Sequence, residues 1–439
     1  MNRRDFGVLL LASLTEAGCG LFGDTTKKTP LPGERISVLG LDHRLAPDPL
    51  LANVAVTLPR PVVNPDWPEP GGYPNHAMYH LGLAPSLTRA WETSVGDGNS
   101  RYRKVMSQPV VAHDTVFAMD GGTQVSALSA SNGNSIWQVD LKPEDTEGNA
   151  FGGGPCFWKD RLYVATGYAE VLAVDPASGK VIWRKPVDSP VHAAPTVSDG
   201  RVFAVTVDNQ LFVLAAEDGR RLWTHNGIPE TAGLLGGASP AVEGEIVVVA
   251  YNSGELFALR VENGRPLWSD SLAASRTVDP MSGLADIRGR PVIDRDRVFA
   301  ISHSGRMVSI DLRRGDRVWE QDIASAHGPW VAGDYVFVLA NDNELACLTR
   351  DKGKTRWVQQ LPQYDNPEKR EDPILWAGPV LGGDRLIALS STGDAVSVSP
   401  YTGQPLGRIS MSAGGYLGPI IAGGTLYLLA DDANLSAYR

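Results

Sequence analysis

His76 and His80 are spaced four apart, a spacing that on a helix would put both imidazoles on one face in the manner of a zinc pair. No third ligand or acid accompanies them in a helical pattern, so they are read as ordinary side chains and not as metal ligands. Gly353-Lys354-Thr355 carries the end of a phosphate-binding loop but lacks its upstream glycine, and Gly152-Gly153-Gly154 opens a strand where an anion site would need a helix. No nucleophile elbow or zinc constellation is present in the sequence. These residues therefore assign no catalytic group, no metal and no cofactor.

A different chemistry is written at the start of the chain. Arg3 and Arg4 precede the apolar run Phe6–Leu14 and the small residues around Ala17, Gly18 and Cys19, which is the layout of an export signal over 1–19. Glu16-Ala17-Gly18-Cys19 resembles a bacterial lipobox, whose cysteine becomes the lipidated first residue, although a leucine is usual where Glu16 stands. Two readings stand: lipidation of Cys19, or cleavage after Ala17 to leave an unmodified secreted chain. Arg3-Arg4-Asp5-Phe6 leaves twin-arginine export open beside the general route. The apolar run is too short to cross a bilayer, so the expected membrane contact is through the lipid alone.

Composition sets the frame that must hold any site. The 439 residues are 43% hydrophobic and 21% charged, which suits a packed core. Gly (47) and Pro (31) together approach 18%, favouring turns and short strands over long helices. A net charge of −10 opposes a general nucleic-acid role, because phosphate binding draws on Lys and Arg.

The segment 20–80 holds ten prolines between Pro30 and Pro74, including the cluster Trp67-Pro68-Glu69-Pro70-Gly71-Gly72-Tyr73-Pro74. Proline fixes φ and withholds a donor, so this segment is expected to be an extended tether whose second half lies across the folded body.

From residue 81 to 439 the chain repeats. Pro109, Pro155, Pro195, Pro240, Pro291, Pro329, Pro379 and Pro419 open eight units with a mean spacing of about 44 residues, the period of a four-stranded propeller blade. A Trp lies 28 residues after the Pro in six units, at Trp137, Trp183, Trp223, Trp268, Trp319 and Trp357, while the seventh has Gly407. A Gly lies 24 after it in all seven complete units, from Gly133 to Gly403, where a turn needs positive φ. The eighth unit ends before its last strand, and Leu87–Trp91 supplies an orphan last strand with the same Trp. The expected fold is therefore all-β: an eight-bladed β-propeller of four-stranded blades, closed by pairing of the N- and C-terminal strands. Its tryptophans, Trp91 included, are read as inter-blade packing. Cys156 and Cys347 fall four blades apart, too far for a disulfide, and are expected as buried thiols.

The unit Pro-x6-Val/Leu-Phe/Tyr with its Gly and Trp resembles the quinoprotein-type propeller repeat, shared by pyrroloquinoline-quinone dehydrogenases and by the BamB-like outer-membrane assembly lipoproteins. The lipobox-like start, the tether and a single propeller from about residue 86 resemble the latter. The vicinal cysteine pair that usually lies beside the quinone is absent, since no two cysteines are adjacent. Ala232–Pro240 and Leu284–Pro291 are similar to the loops with which that family engages the POTRA domains of BamA. A Leu-x-Leu-Arg pattern falls on Ala232, Leu234 and Leu235, and an acid-x-acid pair on Asp286 and Arg288; Leu234 and Asp286 fit, whereas Ala232, Leu235 and Arg288 depart. The resemblance implies a scaffold bound to BamA and other subunits of the assembly complex, a monomer within that complex, at the periplasmic face of the outer membrane.

Junction lengths point to the same loops without the family. The step from the Trp position to the next Pro is 10 or 12 residues at three junctions, but 17 at 224–239, 23 at 269–290 and 22 at 358–378. Such insertions often form a propeller's binding surface. Leu234 and Leu235 are read either as an apolar anchor, with Asp286 supplying an oriented charge, or as tucked beneath their own loop. The charged loop 358–378 is read as a solvated excursion. A quinone–calcium dehydrogenase, or a module holding a small ligand in the central funnel, remain the competing classes.

Overall fold

The computed structural model describes residues 45–439 apart from 231–232 and 274–284. Cys19 and the rest of the export signal, as well as Ala232, lie outside the described residues. Leu45–Arg439 forms one compact unit.

Among the described residues eight four-stranded antiparallel sheets make eight blades, of which blades 2 to 7 span 153–186, 196–226, 241–271, 292–321, 330–360 and 376–410. Blade 1 comprises Val110–Ala112, Thr115–Met119, Gln124–Ser129 and Ser135–Asp140, and its second and third strands are buried almost throughout. Both faces of those strands meet neighbouring blades, so they read as continuous apolar runs and not as alternating ones. The fourth strand is largely exposed. Blade 8 joins Ile420–Ala422, Thr425–Leu429 and Asn434–Tyr438 to Arg89–Ser94, with Trp91 opposite Ala437 and Ser94 opposite Asn434. The ring thus closes as expected. Cys156 and Cys347 are buried free thiols in blades 2 and 6.

The two sequence columns turn out to be one contact. Each of the seven indoles, Trp91 to Trp357, donates its N–H to a backbone carbonyl of the next blade at 2.8–3.2 Å, beginning with Trp91 to Ala130 and ending with Trp357 to Pro400. The column glycine of that next blade lies against the same ring at φ between +67° and +79°. The indole is packed and its polar edge is satisfied, which is what a buried Trp requires.

The described part of the proline-rich segment, 45–80, lies across the folded body. Short and irregular, it crosses the end of the central channel and bonds to every blade. Trp67 and Val111 exchange backbone hydrogen bonds, and Pro68, Pro74, Asn75, Leu81 and Asn64 accept from Phe157, Val242, Ile293, Gly383 and Gly423. Glu69 accepts from the Val197 N–H at 3.3 Å, and Tyr79 accepts from the Trp330 indole at 2.7 Å. Proline suits this plug because its unpaired chain has few donors to satisfy, while its carbonyls cap the first strands. His76 and His80 lie in it on irregular backbone and not on a helix: their Nδ1 atoms contact the carbonyls of Pro291 and Pro59 at 2.8 and 2.7 Å.

Candidate functional site

In an antiparallel meander, fourth-to-first connections and second-to-third turns share one end of the ring. The plug closes the opposite end, so the long junctions gather at the open one. There the connection following Arg221–Asn226 is tied down by side-chain hydrogen bonds to its neighbours. Glu255 accepts from the Ile228 N–H at 2.6 Å, Asn209 donates to the Ile228 carbonyl at 2.6 Å, and Ser239 Oγ donates to the Ala194 carbonyl at 2.8 Å.

This connection meets the one that leads into blade 5. The Leu234 N–H donates to Asp286 Oδ2 at 2.8 Å. Gly236 has φ +106°, and a Cβ there would fall 2.9 Å from Arg288 Nε, so Arg288 passes directly beneath the loop. A cavity of about 300 Å³ opens beside them, lined by Leu234, Leu235, His192, Asn209, Asn252 and Asp286. All four residues singled out from the sequence, Leu234, Leu235, Asp286 and Arg288, are thus brought together from two junctions.

Their roles separate on inspection. Leu235 is 41% exposed, whereas Leu234 is half-buried and Asp286 is buried. The carboxylate expected to offer a charge outward is turned inward to hold the Leu234 backbone. Burial raises Asp286 to about 6, against the opposing pull of the Leu234 N–H and of the Arg288 charge. The arrangement can present an apolar tip on a braced loop. The junction 358–378 carries a short hairpin, Tyr364–Asn366 with Glu371–Pro373, that is largely exposed.

Sequence reasoning missed a second constellation, in the channel itself. Trp67, His76, Gln108, Arg288, Arg290 and His327 line a cavity of about 110 Å³ above the plug. Their contributing segments are far apart in sequence, and no spacing rule links them. The channel lining carries Arg288, Arg290, His76 and His327 and no carboxylate, a donor set that does not fit a calcium–quinone centre. Among the described residues no helix is long and apolar enough to cross a membrane.

Comparison with known proteins agrees with this architecture. The chain is 27% identical over 359 residues to outer membrane protein assembly factor BamB of Yersinia pestis, covering 80% of this chain and 89% of that protein. It is 28% identical over 353 residues to the Escherichia coli (strain K12) protein of the same name, covering 79% and 88%. The fold is similar to BamB from Moraxella catarrhalis, with a TM-score of 0.68 at 18% identity, covering 81% of this chain and 100% of that one. It is also similar to quinohemoprotein alcohol dehydrogenase from Comamonas testosteroni, with a TM-score of 0.66 at 15% identity, covering 85% and 80%, a likeness of fold alone. The family model described as outer membrane protein assembly factor BamB matches residues 121–359, more than half of the sequence, and the chain belongs to that family.

Proposed function

We propose that this protein is a non-catalytic scaffold of outer-membrane β-barrel assembly that binds the POTRA domains of BamA through Leu234, Leu235 and the loop braced by Asp286 and Arg288. The observation that carries the reading is the joining of two long junctions through the Leu234–Asp286 hydrogen bond, which holds Leu235 exposed at the open end of a closed ring. An apolar side chain on a rigid loop is a suitable interface anchor, because little entropy is lost when it docks. Family membership supports the choice of partner. Lipidation of Cys19 would hold the propeller at the periplasmic face of the outer membrane, as a monomer within the complex.

The test is capture of partners by the full-length, membrane-extracted protein, with the same sample assayed for bound quinone. BamA without quinone is the expected result; quinone, or no barrel-assembly partner, overturns the reading. Changing Leu234 and Asp286 together should weaken capture while leaving the β circular-dichroism spectrum in place, and unchanged capture would refute the assignment of the loop.

A further inference from the structure

We propose that the plugged channel is a binding site for a small oxyanion carrying at least one O–H, such as monoprotonated phosphate, held by Arg288, Arg290, Trp67 and His76.

Two guanidiniums face one cavity. Arg290 donates to Gln108 Oε1 at 2.9 Å, and the same amide oxygen accepts from the Gly71 N–H at 3.1 Å while its NH2 donates to the Gly418 carbonyl at 2.9 Å. Gln108 therefore fixes the guanidinium against the plug without neutralising it. Among the described residues neither Arg288 nor Arg290 makes an ion pair, although each feels a carboxylate: Asp286 beside Arg288, Glu69 beside Arg290. Glu69 is pushed up to about 8 by burial, with its carboxyl held by Cys156 and Val197, so it is largely protonated near neutral pH. Asp286, at about 6, is largely ionised there. The cluster thus carries an excess of about one positive charge, and burial together with its neighbour Arg288 lowers Arg290 to about 10. A bound anion relieves that repulsion.

The remaining polar atoms specify more than charge. Trp67 is 1% exposed and stacks on Trp330 with centroids 6.3 Å apart, and its indole N–H has no hydrogen-bond partner among the described residues. His76 is 6% exposed, and its Nε2 is likewise unpartnered. Its Nδ1 lies 2.8 Å from the Pro291 carbonyl, which can only accept, so Nδ1 carries the proton and the neutral ring leaves a lone pair on Nε2. Burial and Arg290 keep that ring neutral. The cavity accordingly offers two cations, an indole donor and the His76 acceptor, with the neutral His327 ring beside them, a set that matches an oxyanion with both bare and protonated oxygens. Gly71 is shaped to the same end: at φ +96° a Cβ would lie 2.8 Å from His76 Cδ2 and 3.0 Å from Arg290 Nε. At about 110 Å³ the space suits a small ion and falls below the roughly 300–1,000 Å³ of drug-sized ligand pockets.

The test is calorimetric titration of the full-length protein, in a buffer free of oxyanions at pH 7, with inorganic phosphate, sulfate and glycerol phosphate. Phosphate should bind about tenfold more tightly than sulfate, which has no O–H for His76, the ratio expected when a buried acceptor is left unpaired. Arg290→Gln should weaken phosphate binding tenfold or more. Trp67→Phe, which keeps the stacked ring and removes only the donor, should weaken it about threefold to tenfold and serves if the arginine variant does not fold. Glycerol phosphate binding as well as phosphate assigns the site to phosphomonoesters; a preference for inorganic phosphate assigns it to the free ion. Absence of saturable phosphate binding, sulfate binding as tight as phosphate, or phosphate binding unchanged in Trp67→Phe overturns the proposal.

Discussion

Gly133 sits against the face of Trp91 from the preceding blade, so close that a Cβ there would fall 2.6 Å from the indole Cε3. The same relation recurs around the ring, with would-be Cβ atoms 2.5–2.8 Å from ring or side-chain atoms at the other column glycines. Gly407 completes the logic. It replaces the Trp of blade 7, which faces blade 8, and there the third and fourth strands come from opposite ends of the chain and share no turn. The turn glycine and its indole are missing together because they are two halves of one contact.

Gly133→Ala should therefore cost about 2–4 kcal/mol, combining a strained positive φ with overpacking against Trp91. Gly407→Ala, whose Cβ would meet nothing within 4 Å, should change stability by less than about 0.5 kcal/mol. Urea unfolding of the two variants checks both, and equal costs would show that the contact with Trp91 does not fix the glycine at position 133.

The plug makes a second demand. Trp67 is fully buried in the largest apolar cluster and is paired through its backbone to Val111, so its loss leaves a large void at the point where the segment enters the channel. Trp67→Ala should lower stability by about 3–5 kcal/mol. Because the segment touches all eight blades, thermal unfolding should shift as one cooperative transition and not divide into a loose terminus and an intact ring. A separate early transition would mean the plug is an accessory strap.

What the sequence revealed and what it concealed follow from the range of the interactions. Trp137, Gly133 and Pro109 repeat with their blade, so contacts between adjacent blades leave a periodic trace, and ring closure through Trp91 could be read from the same period. Leu234 and Asp286 were legible as members of two overlong junctions, but the inward turn of the Asp286 carboxylate was not, since nothing in a loop's composition tells which way an acid faces. The plug left only prolines and aromatics, and its hydrogen bonds reach partners as distant as Gly423. Arg290, Gln108 and His327 meet in the channel solely because the ring brings non-repeating residues of different blades to one axis.

Two buried imidazoles should lower stability as pH falls, a loss opposed down to about pH 4 by the raised carboxyls of Glu69 and Asp286 and unopposed below it. His76 is lowered to about 3 by burial and by the Arg290 charge, and His327 to about 3 by burial and by Arg288, with a hydrogen bond to the Trp376 backbone opposing. A depressed histidine contributes stability that is fully present above its unfolded value of about 6.5 and is lost as pH falls towards the folded one. Each ring should thus remove up to about 1.4 kcal/mol per pH unit between roughly pH 6.5 and 3. His76→Asn, which can still donate to Pro291, should flatten that part of the stability–pH curve; a parallel curve would show that His76 is already protonated in the fold.

The proposed partner surface separates into a residue that touches and residues that position. Leu235, 41% exposed, is the candidate for contact, and Leu235→Asp should reduce capture of BamA by tenfold or more with no change in melting temperature. Asp286 is buried and accepts from the Leu234 N–H, so its influence on a partner must pass through the loop. Asp286→Asn retains an acceptor for that N–H and should leave capture nearly intact, while Asp286→Ala leaves the donor unpaired and should weaken capture as the loop loosens. If instead the asparagine variant loses as much capture as the alanine one, the negative charge itself meets the partner, and the carboxylate must turn outward on binding.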